Sequence, residues 1–126
     1  ETFDFLGFTF YCGKGKKSGN FSVKLKTNRK KFQQKLKAVK EWLYENRTMP
    51  VKELIAKLNT KLVGHYRYYG VSHNIAKIGA FLHFVQRYLF KVLNRRSHKQ
   101  SYTWDGYIEM LKVYPLAKPK IYVKLF

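Results

Sequence analysis

The chain has 126 residues, of which 26 are Lys or Arg and 7 are Asp or Glu, so its formal net charge is +19. Hydrophobic residues make up 45% of it, which excludes a disordered polycation and allows one domain with a modest core. Such a charge excess opposes compact folding and is typical of proteins with a polyanionic partner, nucleic acid first and an anionic membrane surface second.

Cysteine, histidine and apolar segments narrow the class of protein further. Cys12 is the single cysteine, which excludes an internal disulfide and fits a reducing compartment. One cysteine and scattered histidines predict no metal and no cofactor, and no apolar run approaches the roughly 20 residues of a membrane span. The opening ETFDFLGFTF has no initiator methionine and no signal-peptide pattern. We expect a piece of a longer protein that is not secreted and is cytoplasmic, of bacterial type, or organellar.

The N-terminal residues predict a β-hairpin. Residues 3–11 form an apolar run of aromatics and threonine, and GKGKKSGN at 13–20 has the composition of a turn. FSVKLK at 21–26 alternates apolar and polar residues, as a half-buried strand does. A lone hairpin is marginally stable in water, so we expect it to belong to a larger sheet.

Three amphipathic helices with short links follow, at about 28–46, 50–69 and 74–97, and predict a compact bundle. Thr27 or Asn28 is expected to cap the first helix and Ser72 the third, while Gly70 ends the second. The predicted apolar faces are Phe32, Leu36, Val39 and Leu43; Leu54, Ile55, Leu58 and Leu62; and Ile75, Ile78, Phe81, Leu82, Val85, Tyr88, Leu89, Val92 and Leu93.

The C-terminal residues predict a short helix and then an extended tail. The helix spans about 104–113 and starts after Thr103, and the two prolines of PLAKPKIYVKLF impose the extended tail. Within the tail, Ile121, Val123 and Leu125 alternate as in a strand.

The predicted fold class is mainly α, a three-helix bundle with an N-terminal β-hairpin, a short fourth helix and an extended C-terminal tail. The predicted divisions are a hairpin at 1–26, a helical domain at 27–97 and a C-terminal segment at 98–126. Phe84 and Phe90 point away from the main apolar face of the third helix. We expect the C-terminal segment or a neighbouring domain to cover them.

The run LVGHYRYYG places one histidine and three tyrosines close together at the end of the second helix. On a helical wheel His65 and Tyr69 fall on the apolar side and Tyr66 at its edge, so we predict His65 and Tyr69 in the core. Arg67 and Tyr68 lie away from that side. They are candidates for phosphate contact and base stacking, with a solvated arginine beside a half-buried tyrosine as the alternative.

Basic residues cluster on the first and third helices. Four lysines of the first lie opposite or beside its apolar face, and three cations lie at the end of the third, where they also suit the helix dipole. A charge run is often only a solvated face, but the charge of the whole chain favours a surface that follows phosphates. The predicted nucleic-acid contacts are Lys30, Lys31, Lys35, Lys37, Arg67, Tyr68, Lys91, Arg95 and Arg96.

The residue patterns give little support for catalysis. The seven acids form no metal-binding pair, and the serines lack the context of a nucleophile elbow. GKGKKSG resembles a phosphate-binding loop only in composition, because it lacks the required spacing.

Three segments in order, FDFLGF (3–8), GHYRYYGVS (64–72) and RRSHKQSYTW (95–104), resemble the C-terminal part of a group II intron-encoded protein, a reverse transcriptase with maturase activity. The resemblance covers essentially the whole chain. It implies that FDFLGF closes the palm, that 27–97 is the thumb or maturase domain, and that the C-terminal segment resembles the DNA-binding region. Gly64, Tyr69 and Gly70 are motif positions expected in the core.

This resemblance implies that residues 27–97 are an RNA-binding thumb or maturase region that promotes intron splicing. The nine predicted contacts are our candidates for its RNA-binding residues, and they rest on charge and helix geometry. The partners that it implies are group II intron RNA, the template–primer duplex, target DNA and the fingers–palm part of the parent RNA-directed DNA polymerase. The metal-binding aspartates of the palm are not in this sequence, so this chain alone is not expected to copy RNA.

Three alternatives remain open from the sequence. The first is a polymerase part that becomes active once a separate fingers–palm chain joins it. The second is a DNA-binding segment for intron mobility at residues 98–126. The third alternative is a basic structural protein of ribosomal type.

Overall fold

The computed structural model describes residues 2–14, 21–96 and 102–124. The fold class predicted from the sequence is confirmed. Most of the predicted turn at 13–20, the last predicted residue of the third helix and Leu125 lie outside the described residues. The elements are β1 (Thr2–Phe5), β2 (Phe8–Lys14), β3 (Phe21–Thr27), α1 (Arg29–Glu45), α2 (Val51–Tyr69), α3 (Ile75–Leu93) and α4 (Trp104–Val113).

The three strands form an antiparallel sheet in which β2 pairs with both of its neighbours. β2 and β3 make the predicted hairpin, and β1 adds a strand at its edge. The run 3–11, which the sequence predicts as one strand, is divided because Leu6 and Gly7 turn the chain with φ of 53° and 86°. The aromatic pair Phe3 and Phe10, which face each other across the strands, stacks with ring centroids 4.9 Å apart.

The helix bounds agree with the prediction to within a few residues. Asn28 caps α1, because its side chain accepts a hydrogen bond from the backbone N–H of Lys31 at 3.1 Å. Thr103 caps α4 in the same way. The predicted cap of α3 at Ser72 is wrong: α3 begins after Asn74, and the backbone N–H of Ser72 donates to Val123 in the tail.

The core lies between α1, α2 and α3, and the apolar faces read from the sequence supply most of it. His65 and Tyr69 are buried as predicted, and Tyr66, placed at the edge of the face, is fully buried. Ile75 is 50% exposed although the pattern places it inside. The buried core includes Phe32, Leu36, Leu43, Leu54, Ile55, Leu58, Leu62, Ile78, Phe81, Val85, Leu89, Val92 and Leu93.

One buried side chain joins the sheet to two helices. Asn74 is fully buried, and its Oδ1 accepts a hydrogen bond from the backbone N–H of Thr27 at 2.8 Å. Its Nδ2 donates to the hydroxyl of Thr27 and to the backbone carbonyl of Tyr69, both at 2.8 Å. The end of β3, the end of α2 and the start of α3 are therefore held at one point.

The C-terminal tail lies along α2. The hydroxyl of Tyr66 donates to the carbonyl of Ala117 at 2.9 Å, and Asn59 bonds the tail backbone at Pro115 and Ala117. A Cβ at Gly70 would collide with the backbone carbonyl oxygens of Tyr66 and Lys120, so only glycine fits where the tail crosses.

The tail and α4 complete the bundle from outside. The strand-like alternation predicted for the tail produces one parallel bridge, between Val71 and Val123, and no longer strand among the described residues. Phe90 packs on Trp104 and Tyr107 of α4 with ring centroids 5.1 Å away in both cases, so the C-terminal segment covers it as expected. Phe84 remains 38% exposed.

Candidate nucleic-acid interface

A cleft of about 860 Å³ lies between α1, the C-terminal half of α2 and the turn that joins β1 to β2. Hereafter it is called the cleft. Its apolar lining comes from these elements and from one residue of α3. The apolar lining residues are Leu6, Ala38, Val39, Leu62, Tyr69 and Phe81.

Three lysines line the cleft. Lys31 and Lys35 of α1 and Lys61 of α2 are all exposed, and no Asp or Glu is among the described residues that line it. The ion pairs between described residues involve none of these lysines. Lys61 lies over the indole of Trp42 with its Nζ 4.9 Å from the ring centroid. The cleft therefore combines a positive rim with an apolar interior, which suits an anion that has an apolar part.

His65 lines the cleft from α2 and is only 9% exposed. Its ring centroid lies 3.7 Å from that of Phe81 and 4.7 Å from that of Tyr69. Its Nε2 is buried, with no hydrogen-bond partner among the described residues. Burial, and secondarily the positive charge of Lys35, lowers the pKa of His65 from 6.5 to about 4. At pH 7 the imidazole is neutral, with one ring nitrogen able to donate and the other to accept.

Tyr68 provides an aromatic wall of the cleft. Its ring is stacked on Phe8, with centroids 5.9 Å apart and planes 8° apart, and lies edge-on to Tyr69. Its hydroxyl donates to the backbone carbonyl of Leu6 at 2.7 Å. Tyr68 is nevertheless 53% exposed, as predicted for a residue off the apolar face. The ring is thus held in place, so stacking a flat ligand on it would cost little side-chain entropy.

A second basic surface lies between α1 and α3, in a cavity of about 410 Å³ that is called the α1–α3 groove. It is less uniformly positive than the cleft, because Glu41 and Glu45 also line it. Glu41 lies 4.0 Å from the Nζ of Lys37, and Lys40 lies over the ring of Tyr88. The cations of the groove are Lys37, Lys40, Lys91 and Arg95.

The structure distributes the nine predicted contacts over several places. Three line the cleft, three line the α1–α3 groove and three lie outside both. They are, in that order, Lys31, Lys35 and Tyr68; Lys37, Lys91 and Arg95; and Lys30, Arg67 and Arg96.

The three contacts outside the two surfaces have different surroundings. Lys30 lines a shallow depression that also contains Asp4. The guanidinium of Arg67 lies 5.5 Å from the ring centroid of Tyr122 in the tail, although Arg67 is exposed as predicted. Arg96 follows the end of α3 and is half-buried.

Two residues of the cleft were not identified by the sequence patterns. Lys61 lies one turn before His65, so helical periodicity places both on the same side of α2, but its charge alone did not distinguish it. Gly64 was expected in the core and is exposed instead. A Cβ at Gly64 would have no atom within 4 Å, because the helix faces the open cleft there.

The remaining chemistry of the described residues is limited. They contain no group of three or more His, Cys, Asp or Glu that could hold a metal ion. No described helix is long and apolar enough to cross a membrane. Cys12 is exposed and carries a free thiol.

These features define a strongly basic helical domain with two cation-bearing surfaces. Residues 29–107 match the family model described as "Group II intron, maturase-specific domain". The match covers more than half of the chain, and the chain belongs to this family, which confirms the resemblance read from the sequence. No curated protein and no solved structure matches it.

Membership gives the chain a role related to group II intron maturases and implies interaction with intron RNA in general. The matched domain is specific to maturases and is not a catalytic domain. All cations of the cleft and of the α1–α3 groove lie within the matched residues.

Proposed function

We propose that the chain binds the structured RNA of a group II intron and favours the compact, splicing-competent fold of that RNA without catalysing a reaction. The observation that carries this proposal is the maturase-specific match, which spans every cation of the two basic surfaces. A protein that binds one RNA conformation better than others shifts the RNA toward that conformation.

The charges explain how such binding works. Double-stranded RNA is recognised mostly through its shape and backbone, and lysines near phosphates release counterions. The lysines of the cleft have no carboxylate among the described lining residues, so no ion pair has to be broken before they meet phosphate. The α1–α3 groove adds further cations on the other side of α1. The RNA backbone can therefore contact cations on both sides of this helix.

A matched set of charge variants tests the proposal. Replacing Lys31, Lys35 and Lys61 with glutamine is expected to weaken intron RNA binding at least tenfold and to reduce the salt slope by about two units, from roughly 0.7–0.9 per lost phosphate contact. The control replaces three exposed lysines outside both surfaces and lowers the net charge equally. The control positions are Lys52, Lys57 and Lys112. Equal losses in the two variants would leave net charge as the whole explanation.

A salt titration separates shape recognition from charge. The wild-type chain is titrated with a structured group II intron RNA and with an unstructured RNA of equal length. We expect a preference for the intron RNA that persists as the salt concentration rises. If both affinities fall together along one slope, binding is only electrostatic and the proposed recognition of the folded intron RNA is contradicted.

We also propose that the two surfaces meet the template–primer duplex when the chain is joined to a fingers–palm part, and that the tail contributes contacts to target DNA. The exposed cations of the tail, Lys118, Lys120 and Lys124, support the second idea. Primer extension after mixing with a fingers–palm chain tests the first. Replacing these three lysines with glutamine and comparing the affinities for duplex DNA and for RNA tests the second idea. The substitutions keep the hydrogen bonds that hold the tail to α2.

A further inference from the structure

The cleft has two properties that different parts of one ligand would satisfy. Its rim carries three ammonium groups with no carboxylate among the described lining residues, which favours an anion. Its interior is apolar and aromatic, with the open ring of Tyr68 on one side, which favours a flat group.

We propose that the cleft is the binding site for one unpaired nucleotide of the RNA, with its base in the apolar interior and its phosphates at Lys31, Lys35 and Lys61. This proposal rests on the proposed RNA-binding function and adds a defined site to it. A simple anion would leave the apolar lining without a partner, and an apolar ligand would leave the lysines unused. A nucleotide satisfies both.

The dimensions and chemistry of the site fit a nucleotide. The volume of about 860 Å³ lies within the roughly 300–1,000 Å³ of small-ligand sites and leaves room for the flanking phosphates. Every base has a face that stacks on an aromatic ring and an edge that both donates and accepts hydrogen bonds.

Gly64 offers a way to fill the cleft without disturbing the core. It lines the cleft, it is exposed, and a Cβ there has no atom within 4 Å. Gly79 in α3 is the matched control, because a Cβ there is equally free of contacts and Gly79 does not line the cleft. Leucine is also a better helix former than glycine, so both Gly64→Leu and Gly79→Leu should fold.

The experiment uses the full chain and two short RNA hairpins with the same stem, one with a single bulged 2-aminopurine nucleotide and one fully paired. The wild-type chain is expected to bind the bulged hairpin roughly tenfold more tightly, because only the bulged base is free to stack on an aromatic ring. The fluorescence of the 2-aminopurine should fall on binding as it stacks. Gly64→Leu should bring the affinity ratio close to one, and Gly79→Leu should leave it near the wild-type value.

The outcomes separate this proposal from the proposed function. If the wild-type chain binds both hairpins equally tightly, or if Gly64→Leu keeps the preference, the nucleotide site is overturned while RNA binding stands. If the chain binds neither hairpin nor intron RNA, both proposals fail. Should Gly64→Leu not fold, Tyr68→Leu takes its place, and an undiminished preference in that variant overturns the site equally.

Discussion

Two buried polar side chains near the C-terminal end of α2 differ in their hydrogen bonding. Asn74 is fully buried and makes three hydrogen bonds to Thr27 and Tyr69. His65 is almost as deeply buried, yet its Nε2 has no described partner. A buried polar group left without a hydrogen bond costs about 1–3 kcal/mol. The fold therefore pairs the polar group that joins its elements and leaves unpaired the one that lines the cleft.

This difference separates a polar group that stabilises the fold from one that carries the cost of an unpaired buried atom. The bonds of Asn74 connect segments that are far apart in sequence, so their loss should loosen the whole fold. His65 contacts Tyr69 and Phe81 through its ring, and its unpaired nitrogen contributes nothing to these contacts. Replacing the imidazole of His65 with an apolar ring of similar size should therefore be tolerated by the fold.

The largest effect is expected for Asn74→Ala. The change leaves the backbone N–H and hydroxyl of Thr27 and the carbonyl of Tyr69 without their partner, so the free energy of unfolding should fall by about 4 kcal/mol. Urea unfolding measures it. Asn59→Ala is the control, because its two bonds to the tail backbone involve a half-buried side chain that water can replace, and about 1 kcal/mol is expected. Similar losses of unfolding free energy in both variants would show that Asn74 stabilises the fold no more than Asn59 does.

The next effect concerns the pH dependence caused by His65. Its pKa falls from 6.5 to about 4 on folding, so between these pH values the unfolded chain takes up a proton that the folded chain does not. The free energy of unfolding should therefore decrease as the pH falls through this window, by up to about 3 kcal/mol, and His65 should add no further loss below it.

Two histidine variants test whether His65 causes this dependence of the free energy of unfolding on pH. His65→Phe should remove most of it and should be near wild-type stability at pH 7, since the unpaired nitrogen disappears with the imidazole. His83→Gln, at an exposed position of α3, should retain the slope. Urea unfolding at a series of pH values measures both. A slope that survives in His65→Phe would place its origin in the self-repulsion of the basic chain.

Gly64 in α2 and Gly70 directly after it extend the comparison. Gly70 lies where the tail crosses, and a methyl group there would meet the carbonyl oxygens of Tyr66 and Lys120. Gly70→Ala should therefore displace the tail and lower the free energy of unfolding by about 2 kcal/mol, a typical cost of overpacking. Urea unfolding, with proteolysis of the tail as a second measurement, checks this. Unchanged resistance to proteolysis would show that the tail adjusts without leaving α2.

The smallest effect has the opposite sign. Gly64→Ala adds a methyl group in open space within a helix, so the free energy of unfolding should rise by about 1 kcal/mol. Gly79→Ala in α3 should behave similarly, because its Cβ would also meet nothing. Thermal unfolding of both variants measures the gain. A loss at Gly64 alone would mean that the cleft is narrower than the structure gives.

Local sequence patterns were sufficient to predict the helices, their apolar faces and the basic character of the chain. Helices and their apolar faces depend on residues that are one or two helical turns apart, so a period of 3.6 residues in the sequence identifies them. The cap at Asn28, the stop at Gly70 and the burial of His65 and Tyr69 follow from the same local reasoning. The motifs that resemble group II intron proteins can also be recognised from the sequence alone.

Contacts between residues that are distant in the sequence could not be predicted in this way. The turn at Leu6 and Gly7 brings the sheet against Tyr68, and Lys61 of α2 joins the two lysines of α1 at one cleft. The partners of Asn74 come from residues that lie up to 47 positions away. Such contacts are set by how whole helices pack on one another, and a local pattern carries no information about that packing.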